Sequence, residues 1–299
     1  MKIVVFGGSG FIGKPLVTKL KSEGHEVIVS DVRRNSNFAN DIRESDAVIN
    51  LGGHPLFKDR WTDRVKSLIY DSRIESTKKI VEAIGFAKCA GAGPKVFISS
   101  SAIGYYGSSG QEILNEKAPS GSDFLAFVCR DWEEQAFVAQ KHFHVRTVVI
   151  RTGVVLGHGG GALDKLLLPF KLGGGTLIGN GKQYFSWIHL DDEVALYLHA
   201  LNQANLTGAL NAVAPNPVTN EEFSHSLAKV IGLPQIGLVG PSFVQTLVGM
   251  GTKAGLFVGV GGAAEVIAHG QRVVPEKALE TAFKFKYSNI EDALKNIVS

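Results

Sequence analysis

The first half of the chain alternates short apolar runs with segments of mixed polarity. The apolar runs are rich in Val and Ile and are bounded by Gly, Pro or Asp, as is typical of buried strands. They are KIVVF, HEVIVS, AVINL, KVFIS and VRTVVI. Helical periodicity lies between most of them. This alternation predicts parallel strands joined by right-handed crossovers, and so an α/β fold with a Rossmann-type doubly wound parallel sheet.

Two intervals modify this picture. Between Val32 and Asp46 there is room for a turn and a brief helix only, so we expect the sheet to be trimmed beyond its second strand. After Arg151 the pattern changes to the glycine-rich loops GHGGGALDK and LGGGTLIGNGKQ, mixed with the helix-like segments DDEVALYLHALNQ and NEEFSHSLAKVIG. We therefore predict a nucleotide-binding domain at 1–157, to which later segments return, and a smaller substrate-side and C-terminal lobe at 158–299, packed together as one body.

The long glycine loops suggest an open substrate pocket. They contain Gly159 to Gly161 and Gly173 to Gly175, with Lys165, Lys182 and Gln183 nearby. Loops of this length commonly build binding sites rather than mere connections.

The segment GGSGFIG follows the first strand directly and precedes a helical pattern. Gly7 permits a tight turn, Gly10 lets the backbone approach a pyrophosphate, and Gly13 lets the helix lie close to the strand. With Phe11 and Ile12 these glycines form a predicted cofactor loop, because the free N–H groups of a helix N-terminus bind anions. A glycine turn without a ligand is the alternative.

The end of the second strand, SDVRR, gives two conflicting signals about the cofactor. Asp31 is suited to the ribose hydroxyls of NAD, whereas Arg33 and Arg34 suit the 2′-phosphate of NADP. A solvated surface turn explains the arginines equally well.

Charge and cysteine content narrow the classes of function. Lys and Arg exceed Asp and Glu by three, without a basic run, so nothing favours binding to nucleic acid or to a membrane surface. A small-molecule substrate is the better expectation. Cys89 and Cys129 form no disulfide framework and match no metal-ligand spacing, and we expect both in the core. Without a signal-like segment, the expected compartment is the cytoplasm.

Five motifs in order resemble a known group. They are GGSGFIG, NLGG from Asn50 to Gly53, SSSAIGYYG from Ser99 to Gly107, RTGVVLG from Arg151 to Gly157, and FSWIHLDD from Phe185 to Asp192. Together they resemble the extended-type short-chain dehydrogenase/reductase superfamily, and most closely its atypical "epimerase family protein" subgroup. The resemblance continues through the C-terminal segment GQRVVPEKALETAFKFKYSNIEDALKNIV.

The resemblance implies further cofactor contacts. Leu51 and Gly52 match a turn beside the adenosine ribose and pyrophosphate, and Val155 matches a position near the nicotinamide. Arg73 matches a helix residue that reaches a cofactor phosphate, with a solvated surface charge as the alternative. Members of the subgroup are commonly associated with NADP, so we expect NADP. NAD stays the alternative, because Asp31 and Val32 stand where the subgroup has Ser or Thr followed by Arg.

The segment SDFLAFVCRDWEEQA predicts a helix with an apolar face of Phe124, Phe127, Val128 and Trp132. In classical members of the superfamily this helix carries a Tyr and, four residues later, a Lys that move the proton of the reaction. Here we expect Ala126 and Arg130 at those places. The subgroup lacks the pair as well.

Other proton donors must therefore be considered. Ser101 aligns with the assisting serine of the superfamily. Tyr105 is the best candidate donor if its phenol, or that of Tyr106, turns inward, with packing of the loop as the alternative. In FSWIHLDD we expect structural roles instead, with Asp191 as a helix N-cap and His189 as a packed, hydrogen-bonded side chain.

Two functions remain open from the sequence. The first is an NADP- or NAD-binding oxidoreductase or epimerase that acts on a small carbonyl or hydroxyl compound by an atypical mechanism. The second is a catalytically silent nucleotide-binding regulatory protein. A polar, ligand-sized pocket favours the first. Analogy with the superfamily also suggests a homodimer formed by the helices that begin near Arg64 and Ser122.

Overall fold

The structure is a computed structural model that describes residues 1–56, 59–161, 163, 181–232 and 270–298. The loop residues Lys165 and Gly173 to Gly175, which were expected near a substrate pocket, lie outside the described residues.

The described strands and helices follow the predicted alternation through the first half of the chain. The strands are β1 (Lys2–Phe6), β2 (Glu26–Ser30), β3 (Ala47–Asn50), β4 (Val96–Ala102), β5 (Ile113–Leu114), β6 (Arg146–Thr152), β7 (Val154–Leu156), β8 (Tyr184–Phe185), β9 (Trp187–His189), β10 (Gly208–Ala212), β11 (Val218–Thr219) and β12 (Arg272–Val273). The helices are α1 (Gly13–Ser22), α2 (Phe38–Arg43), α3 (Asp63–Cys89), α4 (Phe124–Phe143), α5 (Leu190–Asn202), α6 (Asn220–Val230), α7 (Glu276–Glu280) and α8 (Ile290–Val298).

A six-stranded parallel sheet forms the centre of the molecule, in the order β2-β1-β3-β4-β6-β10. This confirms the predicted Rossmann-type α/β fold. Strand β2 is an edge strand, and α2 is a short helix of six residues, as the short interval after Val32 predicted. Strand β10 extends the other edge and was not predicted, because its sequence GALNA lacks the Val and Ile enrichment of the other strands.

Helices pack against apolar side chains on both faces of the sheet, which makes the fold doubly wound. On one face α1 and α5 pack against strand residues such as Ile3, Ile98 and Ile150. On the other face α2, α3 and α4 pack against residues such as Val4 and Phe97. The alternation of side chains along a strand therefore assigns neighbouring residues of β4 and β6 to opposite layers.

The segments after β6 form a smaller layer that joins the main core. Trp187, Phe223 and Leu294 lie in an apolar cluster that links β9, α6 and α8. Phe283 and Phe285, which follow α7, pack against the apolar cluster that α1 and α5 form with the main sheet. Among the described residues, no helix has both the length and the apolar character needed to cross a bilayer.

Three local predictions were wrong. Cys89 is exposed at the end of α3, whereas Cys129 is buried. Phe127 is 43% exposed, because it points away from the apolar face of α4. The N-cap of α5 is His189, whose Nδ1 accepts the Asp191 N–H at 3.0 Å, while the Asp191 carboxylate pairs with Lys286. The buried, hydrogen-bonded state of His189 is as predicted.

Candidate nucleotide and substrate site

A cavity of about 560 Å³ opens at the carboxyl ends of β1, β3, β4 and β6. This is the edge at which open parallel α/β sheets bind ligands. Its wall brings together most of the residues singled out from the sequence: Gly7, Gly10, Phe11, Ile12, Gly13, Leu51, Gly52, Arg73, Ser101 and Val155. Asp31, Arg33 and Tyr105 are not part of this wall.

Three of the four glycines in the loop, Gly7, Gly10 and Gly13, lack a side chain for different reasons. Gly7 has a φ of +77°, and a Cβ there would lie 2.9 Å from the Leu51 carbonyl carbon. A Cβ at Gly13 would collide with the Gly7 carbonyl oxygen. A Cβ at Gly10 would meet only the Gly7 oxygen, at 3.2 Å. Gly7 and Gly13 are thus needed for packing, whereas Gly10 leaves room on the open side of the loop.

The turn after β3 is held by a buried asparagine. Asn50 Oδ1 accepts the Gly52 N–H at 3.0 Å, and Asn50 Nδ2 donates to Thr77 Oγ1 at 2.9 Å. Trp132 Nε1 donates to the same Thr77 oxygen at 2.9 Å. The turn that carries Leu51 and Gly52 is therefore tied to both α3 and α4. The sequence showed Asn50 within NLGG but not this role, which depends on contacts between distant segments.

Arg73 brings a positive charge to the cavity wall. Its guanidinium stacks over Trp132 at 5.2 Å and donates to the carbonyl oxygens of His54 and Ile69 at 3.2 and 3.0 Å. Burial lowers the pKa of Arg73 to about 10. No carboxylate of the described chain lies within ion-pair distance of this guanidinium. Such a cation is suited to an anionic ligand.

Asp31 and Arg33 interact with each other at the end of β2. Asp31 Oδ1 accepts the Arg33 N–H at 2.8 Å and lies 3.6 Å from Arg33 Nε. The Arg33 side chain is 76% exposed, so its guanidinium is accessible to a further partner.

Ser101 belongs to a buried network on the α4 side of the sheet. Its hydroxyl donates to Glu133 Oε1 at 2.7 Å. Arg151 binds both carboxylate oxygens of Glu133, each at 2.8 Å, and both side chains are 5% exposed. Although burial acts to lower it, the pKa of Arg151 is raised, because Glu133 binds the charged form. The Ser101 hydroxyl proton is thus committed to Glu133 rather than to the cavity.

The two adjacent tyrosines pack around the same arginine. The guanidinium carbon of Arg151 lies 3.4 Å from the ring centroid of Tyr105. Tyr106 donates to Asn211 Oδ1 at 2.7 Å and accepts from Arg151 at 2.9 Å. Burial raises the pKa of Tyr106 to about 12. Neither ring lines the cavity, so the structure does not bring Tyr105 to a position where it donates a proton there.

Helix α4 turns a different pair of residues toward the cavity than the sequence analysis expected. Leu125 and Cys129, four residues apart, line the cavity. A Cβ at Gly104 would lie 3.2 Å from Leu125 Cβ and 3.6 Å from Cys129 Sγ, and the Cys129 thiol also interacts with Ser101.

Ala126 and Arg130 lie one position further along the helix, which rotates them by about 100°. Neither lines the cavity, and Arg130 pairs with Asp131 instead. The expected placement was therefore wrong by one residue. The conclusion that α4 lacks the Tyr and Lys pair is unchanged, because Leu125 and Cys129 also lack the chemistry of Tyr and Lys. Burial raises the pKa of the Cys129 thiol to about 12, so this cysteine is not an activated nucleophile.

The opposite face of the sheet contributes polar groups that the sequence analysis missed. Ser100 and Thr152 line the cavity. Thr152 Oγ1 donates to Glu193 Oε1 at 2.8 Å, and the Ser100 and Tyr197 hydroxyls lie 2.6 Å apart. Burial raises the pKa of Glu193 to about 8. Glu193 lies within a helical apolar pattern, so nothing in the sequence alone indicated that its carboxyl reaches the site.

Comparison with known proteins agrees with this geometry. A sequence model of the NAD dependent epimerase/dehydratase family matches residues 3–212. The chain belongs to this family. A second model, for the domain of unknown function DUF1731, matches residues 253–297. The predicted resemblance to the "epimerase family protein" subgroup is confirmed by relatives that match over the full length.

Three of these relatives show how far the likeness extends. The chain is 37% identical to the chloroplastic "Epimerase family protein SDR39U1 homolog" of Arabidopsis thaliana, over 100% of this chain and 87% of that protein. It is 33% identical to YfhF of Bacillus subtilis, over 100% and 98%. It also matches the crystal structure of human SDR39U1 (isoform2) with NADPH, with a TM-score of 0.84, 32% identity and 99% coverage of both chains. Because the plant relative is named chloroplastic, the cytoplasmic location stays a prediction.

Proposed function

We propose that the chain binds NADP(H) and uses it to interconvert a small carbonyl compound and its alcohol. The observation that supports this most is the continuity of one cavity. It runs from the glycine loop, past Arg73, to the polar groups of Ser100, Ser101 and Thr152. A ligand-sized space that joins a dinucleotide loop to convergent polar groups is the expected form of such a site.

The residues present fit a dinucleotide. The open side of Gly10, at the N-terminus of α1, gives the pyrophosphate room and backbone N–H donors. Arg73, Leu51, Gly52 and Val155 line the cavity. Arg73 would offer the charge for a phosphate, Leu51 and Gly52 would border the adenosine ribose, and Val155 would border the nicotinamide. When bound, the cofactor supplies or accepts the hydride.

NADP is the preferred form for two reasons. The human relative was crystallised with NADPH. In this chain Asp31 Oδ1 accepts the Arg33 N–H, and the Arg33 side chain is 76% exposed at the strand end where a 2′-phosphate is read. Asp31 Oδ1 lies 3.6 Å from Arg33 Nε and so competes with a 2′-phosphate for the guanidinium. Selectivity for NADP over NAD should therefore depend on Arg33.

Equilibrium titration with NADPH and with NADH, followed by tryptophan quenching and nicotinamide fluorescence, tests the proposal. We expect tighter binding of NADPH. Arg33→Gln should weaken NADPH binding by about tenfold and leave NADH binding unchanged, as for the loss of one charge-assisted contact. Arg43→Gln removes a similar charge from α2, away from the cavity wall, and should change neither affinity. Failure of both nucleotides to bind would reject the proposal.

A net oxidation or reduction is favoured over epimerisation. Epimerisation by transient oxidation needs the proton shuttle twice on one cofactor, and the cavity-facing positions of α4 hold Leu125 and Cys129.

Leu125 and Cys129, with the hydrogen bond of Ser101 to Glu133, also favour the alternative function of a catalytically silent nucleotide-binding protein. NADPH oxidation in the presence of aromatic aldehydes and quinones separates the two. Turnover supports the enzyme, and tight binding without turnover of any carbonyl supports the alternative.

We further propose that the chain forms a homodimer through α3 and α4. Leu68 on α3 and Phe127 on α4 are exposed apolar side chains on these helices. Static light scattering of the purified chain tests this, and a monomeric mass would reject it.

A further inference from the structure

A buried acid lies directly behind the cavity. Glu193 is completely buried on α5, and its Oε1 accepts the Thr152 hydroxyl at 2.8 Å. Its second oxygen, Oε2, has no hydrogen-bond partner among the described residues. Thr152 itself lines the cavity. One hydroxyl therefore separates a hidden carboxyl group from the space in which we place the substrate.

Glu193 is separated from the salt-bridge network of Ser101. Paired residues Ser101 and Arg151 of β4 and β6 point to the α4 face, so Thr152, one residue later, points to the α5 face. Glu133 neutralises Arg151 on the other side of the sheet. The acid is thus not part of that ion pair.

No described charged group approaches Glu193 closely enough to ionise it. Arg146, on the same strand as Thr152, binds carbonyl oxygens at the far end of α5 and after it. The lysines of α1 are exposed. On α5 itself, Asp191 pairs with Lys286, and Asp192 accepts two backbone N–H groups. His189, which precedes α5, caps the helix. Burial without a cation favours the neutral acid, and its pKa is raised to about 8.

We propose that Glu193 stores the proton that carbonyl reduction consumes and delivers it to the cavity through Thr152. The inference rests on the proposed function. A bound nicotinamide would supply the hydride to the carbonyl carbon, and the carbonyl oxygen would take the Thr152 hydroxyl proton. Thr152 in turn takes the carboxyl proton of Glu193, which becomes a carboxylate. After product release, the Glu193 carboxylate would take up one proton from bulk solvent along the same path, which balances the proton consumed.

Thr152 is the catalytic residue in this scheme, and Glu193 acts through it. In the structure the Thr152 hydroxyl donates to Glu193 Oε1. Delivery requires this hydrogen bond to reverse, so that the neutral carboxyl donates to Thr152 Oγ1 and the Thr152 hydroxyl proton turns into the cavity. Tyr197, one helical turn after Glu193, holds the neighbouring Ser100 hydroxyl at 2.6 Å and also interacts with Thr152. Burial raises the pKa of Tyr197, so it remains neutral and positions these hydroxyls.

Infrared spectroscopy tests, without any substrate, whether Glu193 holds a proton at neutral pH. The difference spectrum between wild type and Glu193→Gln isolates the carbonyl stretch of the protonated carboxyl group. We expect this band at pH 7 and its loss as the pH rises through about 8. Circular dichroism and NADPH titration of both proteins accompany the measurement. Absence of the band at pH 7 in a folded wild type would overturn the proposal.

Transfer to D₂O tests whether Thr152 connects the acid to the cavity. The band shifts when the carboxyl proton exchanges, and Thr152→Val should slow that exchange. Thr152→Ser should restore it, because it keeps the hydroxyl. Thr147→Val makes the same substitution at a buried position of β6, where the hydroxyl donates to a local carbonyl group, and should leave the rate unchanged.

The two proposals fail in different ways. Unchanged exchange in Thr152→Val rejects the proton path, whether or not NADPH binds. Slowed exchange in a protein that binds no nucleotide supports the path and rejects the redox function. If a carbonyl compound is turned over, Glu193→Gln should lower kcat by roughly 100-fold with little change in KM, because the residue acts on proton transfer.

Discussion

The missing side chain of Gly10 leaves space on the open side of the loop, whereas that of Gly13 lets the backbone pack closely. Substitutions at the two positions should therefore affect cofactor binding and folding to different extents. Gly13→Ala places a Cβ against the Gly7 backbone oxygen. We expect it to destabilise the fold by about 1–3 kcal/mol, as overpacked positions do. Gly10→Ala has one tight contact only, so its cost should stay below about 1 kcal/mol.

The cofactor affinities should rank differently from the stabilities. Gly10→Ala fills the space proposed for the pyrophosphate, so NADPH binding should weaken although the protein remains folded. Urea unfolding and fluorescence titration of the two variants measure both properties. Normal NADPH affinity in Gly10→Ala would show that the phosphates do not lie on this side of the loop.

The buried carboxyl of Glu193 should make stability depend on pH. Its folded-state pKa is about 8, above the ordinary value of 4.5, so the folded chain binds more protons than the unfolded chain between these values. Stability from this group is complete at low pH and is lost as the pH rises toward and through 8. The expected loss is of the order of a few kcal/mol.

Urea unfolding between pH 5 and pH 8.5 measures this dependence. Glu193→Gln removes the titrating group but keeps its shape, so the variant should lose less stability than wild type over this range. Equal slopes of stability against pH in the two proteins would show that Glu193 is already ionised in the folded state.

At the scale of elements, an ion pair joins helix α4 to strand β6. Glu133 and Arg151 are both buried, so removal of one charge leaves the other without compensation. Glu133→Gln should destabilise the protein by about 3–5 kcal/mol. Lys229→Ala breaks an exposed pair between α6 and α8, and should cost less than about 1 kcal/mol. Chemical denaturation of both variants provides the comparison, and similar costs would contradict the assigned role of burial.

Helix α4 also shows where the sequence was informative and where it was not. Its apolar periodicity predicted the helix, and the structure places Phe124, Val128 and Trp132 on the cavity wall. The periodicity did not fix which pair of residues faces the cavity. An error of one residue moves a side chain by about 100° around a helix, so it replaced Leu125 and Cys129 by their neighbours. Register depends on contacts between segments, which the local pattern does not contain.

For the whole molecule, strands with continuous Val and Ile enrichment were predictable, but strand β10 was not. Its residues are small and polar, and it is a strand because β6 offers an unpaired edge. The glycine loop was recognisable because each glycine meets a local need. Glu193 and Asn50 are different, since their roles arise only when α5 reaches β6 and when α3 reaches β3.

The paired strands also imply that the two predicted lobes, which were expected to pack as one body, unfold as one unit. Strand β10, from the second lobe, completes the main sheet, and Phe283 and Phe285 pack into its core. The cavity wall combines Gly10 with Tyr184 and Gln271 from the later segments.

We therefore expect one thermal transition, and NADPH should raise its midpoint temperature because it binds only the folded state. Leu294→Ala, in the buried cluster of α8, should cost about 2–5 kcal/mol and lower that same transition. Differential scanning calorimetry of both proteins with and without NADPH tests this. Two transitions, with NADPH raising one and Leu294→Ala lowering the other, would show that the lobes fold independently.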